Sequence, residues 1–188
     1  MRTAPHRVAL SAVLLTAALG AAACSTASNS TGSAAGAANS AAPSTAASSS
    51  GQSAAILAVW HGYVATLTAM YNTARPSPRW TSYAALDAAS QGNADVGTFR
   101  AQGIVVRGAP TVTKASTPTV DDATSPATAS MSVCWDTRGF TPVYAATGKS
   151  AVPAGSTPPP PALATVSFQL FSYGWRVTKV DTSGSTPC

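Results

Sequence analysis

The chain contains no glutamate, and only 9% of its residues are charged. Histidine is nearly absent as well: of two, His6 lies in the first seven residues, which leaves His61. A structural zinc site takes four cysteine or histidine ligands and a catalytic one usually three protein ligands. With this ligand supply no metal centre is expected. A Ser/His/Asp triad would depend on His61 alone, and the chain has no G-x-S-x-G string and no glycine-rich phosphate loop. No cofactor is implied. The basic residues stand singly, without a run or stripe, and losing Arg2 and Arg7 takes the formal charge from +5 to +3. Nucleic-acid binding needs a clustered basic footprint, so a nucleic-acid partner is not expected.

What is present is strongly uneven. MRTAPHR supplies a basic start, and residues 8–23, VALSAVLLTAALGAAA, are uncharged and mostly apolar. That run is short for a membrane span, which needs roughly 20 residues. It fits a secretory signal: basic start, apolar middle, small residues at the cut. Cys24 follows Ala21-Ala22-Ala23 directly. The string LGAAAC resembles the lipobox of bacterial lipoproteins, with Ala21 where that family most often places leucine. The resemblance implies a signal peptide over 1–23, cleavage before Cys24, and acylation of Cys24, palmitate included. The partner would then be a lipid bilayer and the location the extracytoplasmic side of the cell membrane. Two or more acyl chains hold a protein firmly, whereas one binds marginally. Ordinary secretion is the alternative, because Ala21-Ala22-Ala23 also satisfies the small-residue rule. Three cysteines outside the cell leave one over. Lipidation of Cys24 leaves Cys134 and Cys188, which can pair.

Residues 24–53 read as the lipidated cysteine and a linker. Residues 25–53 have no charge, no aromatic and no large aliphatic side chain. Such a segment cannot bury enough apolar surface to offset its ordering entropy. As a flexible coil it would span about 30 Å. Residues 54–188 are long enough for one core. Over 54–73, Ile56, Trp60, Tyr63, Leu67 and Met70 recur at helical spacing, with Leu57, Val64 and Tyr71 widening the stripe. Pro76 and Pro78 end that helix. A second, shorter helix is expected over 78–89 with Trp80, Tyr83 and Leu86, and one more turn over 93–101 with Phe99 inward.

After Gly103 the period becomes two. A strand is expected from Ile104, interrupted at Gly108-Ala109-Pro110 and continued over 111–117. Over 127–136, Ala127, Ala129, Met131, Val133 and Trp135 face one way, and Cys134 and Asp136 the other. Residues 140–145 are read as an extension of this strand, 162–171 as the next with Val166 and Phe168 inward, and 175–180 as the last. Helices first and an antiparallel meander after them give an α+β domain, with the long helix laid on a curved sheet.

Four strings carry a wider likeness: RAQGIVVRGAP at 100–110, VCWDT at 133–137, YGWRVTKV at 173–180, and the terminal cysteine. Together they resemble small lipoproteins of high-GC Gram-positive bacteria with a nuclear transport factor 2-like, or cystatin-like (SnoaL-type), domain. The resemblance implies a cone-shaped sheet closed by the long helix. It also implies a disulfide between Cys134 and Cys188, which would cross the outside of the sheet.

Such a cone can host an isomerase that works with an aspartate base and a tyrosine donor. His61, Tyr63 and Tyr83 are therefore the candidate pocket residues, and no residue is assigned a catalytic role. His61 also reads as a solvated or hydrogen-bonded helix histidine. Asp136 reads as a surface partner of Arg138, and Asp87 and Asp95 as helix-end and turn residues. The expected function is a non-enzymatic binding or accessory module, its partner a protein, a cell-wall component or a small apolar ligand. The alternatives are a small isomerase- or dehydratase-type enzyme and a purely structural surface domain.

Overall fold

A computed structural model describes residues 49–182 and 186–188. The expected signal peptide over 1–23, the acylated Cys24 and all but the last residues of the linker lie outside the described residues.

Helix α1 is Ser49–Thr73, five residues ahead of the expected start at Ala54. Its first three residues are exposed; residues 49–53, SSGQS, hold no alanine, and the helix propagates into them from the turn begun at Ala54 and Ala55. The stripe is as expected: Ile56, Trp60, Tyr63, Leu67 and Met70 are buried, joined by Thr66. The amides of Ala74 and Arg75 fold back to the carbonyls of Tyr71 and Met70 and close the end. By length and composition α1 has what a membrane span needs, yet its stripe is committed to the core beneath it.

The second helix differs from expectation. Trp80–Ser82 forms a single 3-10 turn, and α2 is one helix over Leu86–Gln102. It absorbs the separate turn expected at 93–101. Between them the chain is extended, because the Ala85 amide donates to the Val177 carbonyl and the Val177 amide to the Tyr83 carbonyl, both at 2.9 Å. Pairing with a strand thus overrides local helix preference. Leu86, expected within that shorter helix, instead opens α2, is 58% exposed and adopts a positive φ of 50°. Phe99 is half-buried and meets Tyr71 edge-on. The buried face of α2 is Ala88, Gly92 and Val96.

The strands fall in two sheets. β1 (Ile104–Arg107) pairs antiparallel with β5 (Thr141–Tyr144). β2 (Thr111–Ala115), β3 (Thr119–Asp121), β4 (Thr128–Asp136), β6 (Ala162–Phe171) and β7 (Gly174–Asp181) form an antiparallel sheet ordered β2-β4-β6-β7, with β3 on the same strand β4. Two expectations change here. The run from Ile104 is not one interrupted strand: Gly108, at φ 85°, passes the chain from one sheet to the other. A side chain there would strike the Gly139 carbonyl oxygen at 2.0 Å. Residues 141–144 do not extend β4, because they turn back to pair with β1.

The meander β4-β6-β7 supplies one apolar face. Ala129, Met131 and Val133 from β4, Ala164, Val166 and Phe168 from β6, and Trp175 and Val177 from β7 are buried against α1 and Trp80. Trp60, Trp80 and Phe168 are the largest fully buried side chains. Each fully buried apolar side chain contributes about 1.5–3 kcal/mol. The free side of β7 is shielded at Val177 by residues 83–85, so this edge offers little to another strand.

Cys134 and Cys188 are joined, with Cα atoms 6.0 Å apart. Cys134 is on the outer face of β4, as the alternation requires, yet only 3% exposed. The tail lies along β6, where Leu163 donates to the Thr186 carbonyl at 3.0 Å and Cys188 to the Pro161 carbonyl at 3.1 Å.

Candidate functional site

The expected pocket residues separate. His61 is exposed, on the side of α1 away from the core. Tyr83 is half-buried and lies against the backbone of α1 at Gly62. A methyl group on Gly62 would sit 2.1 Å from Tyr83 Cε1, so this close approach needs a residue without a side chain. Neither His61 nor Tyr83 lines the cavities that Tyr63 lines.

Tyr63 belongs to a slot of about 200 Å³ between α1, the ends of β4 and β7, and the turn after β4. Tyr63, Leu67 and Tyr71 reach it from α1 at four-residue intervals, one face of the helix. Trp135, Phe140 and Val180 close the other walls. The aromatics hold one another. Trp60 stacks on Tyr63 with centroids 5.6 Å apart and meets Trp135 at 5.7 Å. Tyr71 lies parallel to Phe140 at 5.7 Å and takes the edge of Phe99 at 5.2 Å. Such pairs add about 0.5–1.5 kcal/mol beyond their buried area and fix ring orientation.

The slot has a polar rear. Tyr71 donates its hydroxyl to Asp95, which also accepts from Gln91 Nε2 at 2.7 Å. Burial pushes the Tyr71 phenol far above its ordinary value, and the hydrogen bond to Asp95 and its negative charge add to this. Tyr63 is raised for the same first reason, with the Asp95 charge second. Both phenols stay protonated at physiological pH, and that of Tyr71 acts as a donor. A second depression, of about 470 Å³, opens on the other side of Tyr63 between α2 and β7, with Asp87, Gln91 and Lys179 on its walls.

Asp95 is the residue the sequence reading misplaced. It is in the middle of α2, not at a helix end or turn, and faces Tyr71. The spacing Gln91, Asp95, Phe99 shows it once α2 is taken as one helix. Asp136 is where it was expected, at the sheet's rim in a two-pronged pair with Arg138, 2.7 and 3.0 Å. The Arg138 side chain and its backbone amide hold the Asp136 carboxyl below the usual carboxylate range. Among the described residues no group of three histidine, cysteine or acidic side chains is placed to hold a metal.

No protein-family model and no curated protein sequence matches the chain. A solved structure it is similar to is the intermembrane space region of the chloroplast protein ARC6, at a TM-score of 0.49 and 9% identity, over 70% of this chain and 93% of that one.

Proposed function

We propose that this chain is a lipoprotein held at the outer face of a membrane through acylated Cys24. Its nuclear transport factor 2-like domain, a cone over residues 54–188, is a non-enzymatic binding module. Its slot takes one apolar or aromatic side chain of a protein partner. The observation that carries the reading is the slot itself: aromatic walls locked by mutual stacking around about 200 Å³. Small-molecule sites are usually about 300–1,000 Å³. A smaller aromatic-walled recess suits a single anchoring side chain of the kind that dominates protein interfaces.

The interior supports binding over turnover. Trp60, Trp80, Met131 and Phe168 fill the space between α1 and the sheet, and His61 is outside it. The isomerase-type alternative rests on one cluster, Tyr63 and Tyr71 beside Asp95. There Asp95 already accepts two hydrogen bonds, one of them from Tyr71.

The test uses p-cresol as a stand-in for a tyrosine side chain. Titration should give saturable NMR shifts at the Leu67 and Val180 methyls, with a Kd of about 1 mM, since one small ring supplies about 4 kcal/mol. Thr137 also lines the slot, and Thr137→Trp should abolish them. Shifts that never saturate, or that persist in Thr137→Trp, would overturn the reading.

A further inference from the structure

The arginines of this domain fall into two groups. Arg138 is engaged by Asp136, and Arg176 donates to the carbonyls of Thr81, Tyr173 and Trp175. Among the described residues the guanidinium groups of the other four, Arg75, Arg79, Arg100 and Arg107, have no such partner: the ion pairs are Arg138–Asp136 and Lys179–Asp181. Two of these four, Arg75 and Arg100, line one open pocket of about 590 Å³, where α1 and α2 end beside β1. Arg75 follows α1, and Arg100 is in the last turn of α2. Thr73, Gly103, Ile104 and Ala145 complete most of the wall, and no carboxylate is part of it.

A cation at a helix C-terminus has an ordinary explanation, compensation of the helix dipole. Here the terminal carbonyls are largely served by the chain itself. Thr73 Oγ1 donates to Ala69 and Met70, Arg75 N to Met70, and Gly103 N to Arg100 and Phe99. The guanidinium groups are left free for something else. The amide of Ala145 donates to the Gly103 carbonyl at 2.8 Å and that of Tyr144 to the Lys149 carbonyl at 2.9 Å, which brings the turn carrying exposed Lys149 beside the same pocket. Three cations with no acid among them stand at the end of α1 opposite its entry point at Ser49. A helix of 25 residues separates the two by about 37 Å.

We propose that this pocket binds an oxyanion, phosphate or carboxylate, carried by an anionic polymer, with Arg75 and Arg100 as the ligating residues. Guanidinium groups suit both anions because their donors match two oxygens at once. On the lipoprotein reading, the polymer would belong to the cell envelope. The pocket itself does not depend on that reading or on the aromatic slot.

The experiment uses the mature chain with Cys24→Ser, so that no acyl group is attached, on immobilised polyphosphate and on polyglutamate at about 50 mM salt. Binding to either is expected and identifies which oxyanion is preferred. Arg75→Gln with Arg100→Gln should weaken it by about a hundredfold, since each charge-assisted contact is worth about tenfold. Lys114→Gln with Lys179→Gln removes the same charge elsewhere and should change it less than about threefold. Equal loss in the two pairs would reduce the effect to net charge and overturn the site. So would failure to bind both polymers.

Discussion

Cutting the Cys134–Cys188 bond removes the covalent crosslink of this domain. The bond joins residues 54 apart and encloses β5, β6 and β7. In the chain-entropy model a loop of that length costs the unfolded state about 4 kcal/mol of freedom when it is closed. A domain of this size has about 5–15 kcal/mol in all, so the crosslink is a major share. The better variant is Cys188→Ser. Cys188 is exposed, whereas a serine at Cys134 would bury a hydroxyl where the thiol is 3% exposed. Urea unfolding should then give a loss of about 3–4 kcal/mol, and dithiothreitol should do the same to the unmodified chain. The slope against urea should rise, because an unlinked unfolded chain exposes more surface. The midpoint temperature should fall by roughly 15 °C, at about 4 °C per kcal/mol for a domain this long. A loss below about 1 kcal/mol, with the bond shown to form in the parent, would mean that the unfolded chain already holds its ends together. The entropic reasoning would then fail.

Two further outcomes follow from close contacts. Gly62→Ala should destabilise by about 1–2 kcal/mol although alanine is the better helix former, because the new methyl displaces the Tyr83 ring. A raised melting temperature would show that the ring swings away freely. In an alkaline spectrophotometric titration, Tyr63 and Tyr71 of the five tyrosines should stay protonated until the domain unfolds. Their folded values are raised, so the stabilisation they give is complete below about pH 10 and is lost as pH climbs beyond it. Early ionisation of all five would place both rings in water.

The elements that were legible are those in which one period governs the whole element. α1 shows its stripe because five large side chains recur at 3.6-residue spacing over a single face, and β4 and β6 show theirs because one side of the sheet is covered. α2 was not legible at its start. Trp80, Tyr83 and Leu86 have helical spacing, but residues 83–85 gain hydrogen bonds to β7 that no local pattern records. The same misreading hid Asp95, whose partner Tyr71 is 24 residues away. The β1–β5 ribbon escaped because Gly108 looked like a bulge within one strand. What distinguishes a bulge from a crossing is the approach of Gly139, a long-range contact. The basic pocket was invisible for a related reason: Arg75 and Arg100 are isolated in sequence, and only the meeting of two helix ends brings them to one wall.

On the lipoprotein reading, both proposed surfaces would stand at a membrane face, held there by Cys24. Intact mass spectrometry of the protein recovered from membranes tests that directly. The expected species is a chain beginning at Cys24, with a diacylglyceryl group on that residue and two hydrogen atoms fewer for the Cys134–Cys188 bond. A soluble chain that begins at an unmodified Cys24 would contradict it.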